Sequence, residues 1–185
     1  KNKKLQTEPI MTRKLLTLLL CNHNLGIGTE DETFVSITKF GVRPENTAAE
    51  NRKNLQKAID WASERGAALY VTPSDEPYSI DGGIILKKNV SLIGAHGAVP
   101  GGTCHETKRQ PVGSVFRITD RETTLITVES ATRIEGIQFW YPEQTIDDPT
   151  KIIPYPATIR NRKGIAIEGD IFRRLTFFGE YVGHW

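Results

Sequence analysis

Hydrophobic and polar positions follow two different patterns along this chain of 185 residues. In the first pattern, four apolar residues recur at the spacing of one face of an α-helix: Leu55, Ala58, Ile59 and Ala62. Thr47 and Glu50 have the spacing of a capping box, and Gly66 provides the left-handed residue at which many helices end. The pattern therefore predicts one amphipathic helix between Thr47 and Gly66.

The second pattern is a series of short apolar runs, each rich in Val, Ile, Leu or Phe and bounded by Gly, Pro, Asn or Asp. The runs are FVSITKFG from Phe34 and, after the helix, AALYVTP, YSID, GGIILKK, NVSLIG, GSVFRI, TTLITVE, TRIEGIQF, GIAIEG and RRLTFFG. Short strands at close spacing indicate an all-β architecture. A sandwich, a barrel and a solenoid all remain open on this evidence.

Two segments of the second half resemble each other and favour the solenoid. The segment ITVESATRIEGIQFW (126–140) aligns with IAIEGDIFRRLTFFG (165–179), so that ITVE matches IAIE and GIQF matches RLTF. Repeats of about 20–50 residues built of short strands are typical of stacked coils. The first coil of such a stack exposes an unpaired edge, and we expect the helix to cover it.

The order of elements near the N-terminus is similar to that of a known family. Phe40-Gly41 ends a strand before the helix, and the segments YVTP (70–73), YSI (78–80) and NVSLIG (89–94) follow it. This arrangement resembles the N-terminal part of the pectate-lyase-like superfamily, and within it the rhamnogalacturonase/epimerase-type branch. The resemblance is closest over residues 34–94; beyond them it rests on the rhythm of the strands.

This resemblance implies an all-β fold, a right-handed parallel β-helix with an N-terminal capping α-helix. Such β-helices run for many coils and carry their catalytic carboxylates near the middle. We therefore expect residues 34–185 to hold the cap and the first coils of a domain that is truncated at its C-terminus. The fragment itself would then lack a complete active site.

Residues 1–33 form a leader of different composition. Basic residues around Met11 precede an apolar stretch at residues 15–21, as in a secretory signal or a lipoprotein leader, although a disordered or amphipathic tail is the alternative. The likeness to an export signal predicts a secreted or cell-envelope protein. The stretch is too short to span a bilayer, so we expect no transmembrane span. The first fourteen residues carry a net charge of +4 and the rest of the chain sums to −2, so the basic character belongs to the leader and we expect no nucleic-acid partner.

Metal and disulfide chemistry are not indicated. Cys21 and Cys104 are too few for a disulfide framework. His105 and Glu106 lie beside Cys104, but the recurring ligand spacing of a zinc site is missing from the sequence. We expect no metal and no other cofactor.

Trp140 and Tyr141 are the candidate substrate-binding residues. They end an apolar run in IEGIQFWYPEQTIDD (134–148) and precede a long loop rich in proline. An aromatic face can stack on a sugar ring, and loops held on a rigid scaffold are common binding sites. The alternative is that both rings hold the loop against the outside of the stack.

Four carboxylates are candidates for catalysis: Asp147, Asp148, Glu129 and Glu168. Glycoside hydrolysis needs two carboxyl groups on either side of the scissile bond. Asp147 and Asp148 are adjacent and would converge only in a turn, and their alternative role is to start a turn before Pro149. Glu129 and Glu168 are equivalent in the alignment and would lie one above the other, unless both are ordinary solvated residues.

The sequence thus predicts the N-terminal fragment of a carbohydrate-active β-helix protein. Its partner would be a polysaccharide or oligosaccharide, and its chemistry that of a glycoside hydrolase or a polysaccharide lyase. A non-catalytic glycan-binding β-helix, such as a tailspike-like or adhesin-like stalk, is the first alternative. A β-sandwich binding module is the second.

Overall fold

The computed structural model describes residues 33–95, 110–144, 148–164 and 166–181. Short strands dominate these residues, and one α-helix, α1 (Ala48–Arg65), accompanies them together with short 3-10 turns at Ile37–Phe40 and Pro149–Lys151. The strands are β1 Phe34–Ser36, β2 Ala68–Val71, β3 Tyr78–Ser79, β4 Ile84–Leu86, β5 Ser91–Gly94, β6 Val115–Arg117, β7 Ile126–Val128, β8 Arg133–Glu135, β9 Gln138–Trp140, β10 Ile159–Asn161, β11 Ile171–Arg173 and β12 Thr176–Phe178.

The strands form three open parallel sheets. Sheet I has the order β1-β2-β5-β8-β11, sheet II the order β3-β6-β9-β12, and sheet III the order β4-β7-β10. From β2 onward, each strand pairs in parallel with the strand three places later along the chain. The chain therefore visits sheets I, II and III in turn, and the predicted class, mainly β with one α-helix, is confirmed at this level.

The core lies between the three sheets and is built of side chains stacked in register. In sheet II, Phe116 pairs with Phe139 and Phe139 with Phe177, and the ring centroids are 6.1 and 5.2 Å apart. In sheet I, Leu92 and Ile134 occupy equivalent positions and are both fully buried. Side chains point alternately to the two faces of a strand, so each strand sends every second side chain into the core. The register of the parallel strands then stacks these inward side chains directly above one another.

Helix α1 forms where the sequence predicts it. Thr47 Oγ1 accepts a hydrogen bond from the Glu50 N–H at 3.3 Å, and Gly66 ends the helix in the left-handed conformation. All four residues of the predicted apolar face have 0 % exposure: Leu55, Ala58, Ile59 and Ala62. The helix prediction is confirmed in its bounds, its caps and its buried face.

Side chains of α1 cover the first edges of sheets II and III. Asn51 Nδ2 donates to the carbonyl of Ser79 on the edge strand β3, at 3.0 Å. Gln56 binds both backbone groups of Ile85 on the edge strand β4, accepting from its N–H at 2.9 Å and donating to its carbonyl at 3.1 Å. These amides take the place of a neighbouring strand, which is the covering role predicted for the helix.

Asp120 ties the turn after β6 to the start of β4. Its carboxylate accepts hydrogen bonds from the N–H groups of Gly82 at 3.1 Å, Glu122 at 2.9 Å and Thr123 at 3.1 Å. Burial opposes its ionisation, but these backbone donors outweigh burial and hold the pKa of Asp120 below its usual range. The ionised carboxylate therefore contributes to the stability of this turn.

The internal alignment is right for one strand and wrong for the other. Sheet II pairs Gln138 with Thr176 and Phe139 with Phe177, as the match of GIQF to RLTF predicts. In sheet III, however, Val128 pairs with Asn161, whereas the alignment paired it with Ile167. The loop between β10 and β11 holds the extra residues, so the chain leaves sheet III earlier than the alignment assumed.

Candidate functional site

The floor of the candidate site is a row of side chains on the outer face of sheet II. The strand register places Ser79, Arg117, Trp140 and Phe178 side by side on four successive strands. The first three alternate with Tyr78, Phe116 and Phe139, which point into the core. All four residues of the row are half-buried. An indole ring and a guanidinium thus lie next to each other on a rigid surface.

Loops on the helix side of sheet II turn this floor into a groove. Its volume is about 560 Å³, and it opens widely to solvent. Of the row on sheet II, Ser79, Arg117 and Trp140 line the groove and Phe178 lies beyond it, and the remaining lining residues come from three separate loops: Pro44, Glu45, Glu76, Pro77 and Gln110. The groove therefore combines one aromatic ring, one guanidinium and two carboxylates.

Hydrogen bonds orient the polar groups of the groove. Gln110 Nε2 donates to Glu76 Oε2 at 2.9 Å and to the carbonyl of Asp75 at 3.3 Å. Arg117 Nη1 donates to Ser79 Oγ at 3.5 Å, which is a weak contact, and Arg117 also lines the groove. Glu45 and Glu76 are exposed, so their carboxylates are open to solvent and to a ligand.

The two predicted aromatic residues have different surroundings. Trp140 lines the groove and is half-buried, so one part of its ring system is open to a ligand. Tyr141 is 2 % exposed, its ring centroid is 4.7 Å from that of Tyr155, and its hydroxyl lies 2.6 Å from Thr158 Oγ1. Burial raises the pKa of Tyr141, so its phenol stays neutral. Tyr141 therefore packs the proline-rich loop onto the core, which is the alternative role considered for it.

Asp148 begins a turn, as the alternative interpretation of its sequence context predicts. Its Oδ1 accepts from the N–H of Thr150 at 2.9 Å and lies 2.6 Å from Thr150 Oγ1. The hydrogen bonds from Thr150, and the contact with Lys151 at 3.1 Å, hold the pKa of Asp148 below its usual range. Asp147 lies outside the described residues, so the adjacent pair stays a prediction.

Glu129 and Glu168 are not equivalent in the structure, which corrects their predicted stacking. Because Val128 pairs with Asn161, the residue that follows β10 at the level of Glu129 is Arg162, and the two form an ion pair. Glu129 Oε2 also accepts from the N–H of Lys88 at 3.1 Å. Glu168 is exposed, and its carbonyl accepts from the N–H of Ala131 at 2.8 Å. Neither carboxylate lines the groove.

The structure also contains a buried, ion-paired carboxylate, that of Glu135, which the sequence did not predict. The side chain of Glu135, on β8, is 7 % exposed and contacts Arg133, Arg173 and Arg174. The hydrogen bond from Arg173 exceeds the effect of burial and, with that from Arg133, holds the pKa of Glu135 below its usual range. Glu135 is therefore ionised, and its carboxylate oxygens are engaged by arginine side chains. This arrangement fits a structural role better than a role in proton transfer.

Sequence reasoning found Trp140 but missed the other residues of the groove. Arg117, Glu45, Glu76 and Gln110 come from segments that are separated along the chain, and they meet only because sheet II stacks in register. The available signal was the run GSVFRI, whose last strand residue, Arg117, aligns with Trp140 once the two strands are paired. The sequence alone did not provide that pairing.

The described residues contain neither a metal-binding cluster nor a membrane-spanning helix. No group of three or more His, Cys, Asp and Glu side chains there is close enough to hold a metal ion. Likewise, no helix in those ranges has the length and apolar character needed to cross a membrane. Comparisons with protein-family models, with curated proteins and with solved structures found no match to this chain.

Proposed function

We propose that this chain forms the cap and first coils of a right-handed parallel β-helix. The regular alternation of strands among sheets I, II and III supports this proposal, because each circuit of a β-helix adds one strand to each face. The covering of β3 and β4 by Asn51 and Gln56 is what the first coil requires. On this proposal the chain belongs with the pectate-lyase-like superfamily that its N-terminal residues resemble, and it is exported.

The proposed function is the binding of a polysaccharide along the groove on sheet II. The observation that carries the proposal is the placement of Trp140 beside Arg117 on the floor, with Glu45 and Glu76 in the walls. The indole face suits the C–H groups of a sugar ring, and the charged groups suit its hydroxyls. An open groove on a rigid sheet can accept an internal segment of a long chain, whereas an enclosed pocket would select chain ends.

Glycoside hydrolysis is the second candidate function. Glu45 and Glu76 both line the groove, and Gln110 orients one of them. Hydrolysis uses two carboxyl groups, one as the acid and the other as the base or nucleophile. A lyase would instead use a carboxylate of the groove to take the proton beside the uronate carboxyl group, which Arg117 would neutralise, and the departing sugar oxygen would take up a proton. Binding needs neither step, so it is the simpler function of this arrangement.

Affinity measurements with a panel of soluble polysaccharides test the binding proposal. Trp140→Ala should weaken binding of the retained ligand by about tenfold, the scale of one lost aromatic stacking contact, and Trp140→Phe should restore part of it. Phe34→Ala is the matched control, because Phe34 is a 53 % exposed aromatic residue on sheet I. If the panel gives no ligand, or if Trp140→Ala binds as tightly as the unaltered protein, the proposal is wrong.

Product analysis separates binding from catalysis. Release of reducing ends would indicate hydrolysis, and ultraviolet absorbance from an unsaturated uronate would indicate elimination. If Glu76 acts in hydrolysis, Glu76→Gln should abolish release while binding is kept, because the amide retains the shape but cannot exchange a proton at the carboxyl oxygen. Binding without release of any product would support polysaccharide binding alone and would exclude glycoside hydrolysis.

A further inference from the structure

The two carboxylates of the groove on sheet II lie at the end formed by β3. Glu76 belongs to the loop that leads into β3. The loop of Glu45 is tied to the same strand, because Asn51 Nδ2 donates to the carbonyls of Arg43 and Ser79, at 2.7 and 3.0 Å. The groove therefore has an acidic end, and its position is fixed by the helix and the first strand of sheet II.

The walls at this end present hydrogen-bond acceptors. Gln110 Nε2 has two N–H donors, and it uses them on Glu76 Oε2 at 2.9 Å and on the carbonyl of Asp75 at 3.3 Å. The side-chain atoms that remain, Gln110 Oε1 and Glu76 Oε1, are acceptors. Glu45 adds an exposed carboxylate to the lining. Ligand groups that face these walls must therefore be hydrogen-bond donors.

The lining of the groove also carries an excess of negative charge. Among the described residues that form it, Arg117 carries one positive charge, and Glu45 and Glu76 carry two negative charges. No ion pair with another described residue offsets either glutamate. Arg43 precedes the loop of Glu45 but does not line the groove. One negative charge of the lining is therefore uncompensated.

Acceptor walls and a negative charge distinguish among polysaccharides. A protonated amino group is a donor and carries a positive charge, so it matches the walls in both respects. A hydroxyl group satisfies the acceptors but leaves the charge uncompensated. A carboxylate or a sulfate ester supplies only acceptors, and the two glutamates would repel it although Arg117 would attract it.

We propose that the groove selects polysaccharides whose sugars carry free, protonated amino groups. One sugar stacks on Trp140, and the amino group of a sugar nearer β3 donates to Glu76 and Glu45. Arg117, on the strand between, donates to oxygen atoms of the sugar chain. Neighbouring strands are about 4.8 Å apart, so the ligand crosses three strands and spans more than one sugar. This inference rests on the proposed polysaccharide binding and names the ligand class of the same groove.

Isothermal titration calorimetry with two matched oligosaccharides tests the inference. The ligands are the glucosamine tetrasaccharide of chitosan and the same tetrasaccharide with every amino group N-acetylated, which removes the charge but keeps the sugar backbone. At about pH 5.5 the sugar amino groups are protonated and glutamate side chains are largely ionised. We expect the glucosamine ligand to bind at least about tenfold more tightly, the scale of one charge-assisted hydrogen bond.

Variants of the two glutamates show whether they set this preference. Glu76→Gln and Glu45→Gln should each reduce the preference for the glucosamine ligand, and the double variant should abolish it. Glu122→Gln should leave the preference unchanged, because Glu122 is an exposed glutamate outside the groove. Trp140→Ala should weaken both ligands by a similar factor, because stacking uses the C–H groups that the two ligands share.

The outcomes separate this inference from the binding proposal on which it rests. Equal affinity for the two ligands, or tighter binding of the N-acetylated ligand or of a uronate oligosaccharide, would overturn the inference and leave polysaccharide binding in place. The same conclusion follows if another polysaccharide binds and neither tetrasaccharide does. A preference that persists in the double variant would indicate general attraction of a cation and would also overturn it. If no polysaccharide binds at all, the binding proposal is wrong as well.

Discussion

Replacing Asn51 tests whether helix α1 holds the first edge of the stacked strands through specific hydrogen bonds. Asn51 has 0 % exposure. Its Nδ2 donates to the carbonyls of Arg43 at 2.7 Å and Ser79 at 3.0 Å. Its Oδ1 accepts from the Arg43 N–H at 2.9 Å and from Asn46 Nδ2 at 3.0 Å. One buried side chain thus joins the helix, the preceding loop and strand β3.

The expected loss of stability follows from the number of hydrogen bonds to backbone groups that the variant loses. In Asn51→Ala, the two backbone groups of Arg43 and the carbonyl of Ser79 lose their hydrogen bonds. At about 1 kcal/mol for each bond, the free energy of unfolding falls by about 3 kcal/mol. Asn51→Asp has nearly the same shape but cannot donate, and it places a negative charge against two carbonyl oxygens. We expect it to be at least as destabilising at neutral pH.

Equilibrium unfolding in urea, followed by far-ultraviolet circular dichroism, measures both variants. Lys53→Ala is the control, because Lys53 is exposed on the same helix, and we expect a change below about 0.5 kcal/mol. A midpoint for Asn51→Ala indistinguishable from that of Lys53→Ala would refute the reasoning. The buried amide would then contribute nothing to the attachment of the helix.

Three further predictions concern the cap, a close contact and acid stability. Leu55→Asp or Ile59→Asp should place a charge inside the cap, so a soluble variant should bind a hydrophobic dye or aggregate; Lys57→Asp, on the exposed face, should do neither. Gly94→Ala should lower the free energy of unfolding by about 1–3 kcal/mol in urea, because its Cβ would lie 2.6 Å from a backbone oxygen. Because the pKa of Asp120 is lower in the folded state, its contribution is present above the unfolded pKa and is lost as pH falls through the folded value. Urea titrations at pH 7 and at about pH 3 should therefore show less acid destabilisation in Asp120→Asn than in the unaltered protein.

Helix α1 could be predicted from the sequence because its determinants are local. Caps at Thr47 and Gly66 and the spacing of its apolar face lie within one segment of the chain, and the structure has the same bounds. The choice of β structure was also available, since each strand has its own apolar run. These features depend on neighbouring residues, so a single segment contains the information.

The pairing of strands was harder to predict because it depends on loop lengths. The alignment placed Phe139 beside Phe177 correctly, but it missed that Val128 pairs with Asn161. The groove was hard to predict for the same reason, because Arg117 lies beside Trp140 only through the register of β6 with β9. An aromatic residue is a visible candidate in a sequence, whereas the charged residues that surround it become apparent only after the strands are paired.

A double-mutant cycle between Arg117 and Trp140 tests the central claim most directly, because it depends on both the register of sheet II and the use of the groove. The measurement is the affinity for the tightest polysaccharide ligand of the panel in Arg117→Ala, Trp140→Ala and the double variant. We predict that each single change weakens binding and that the two effects are coupled by at least about 0.5 kcal/mol, as for neighbouring residues that touch one ligand. Additive effects, or binding that neither change alters, would contradict the account.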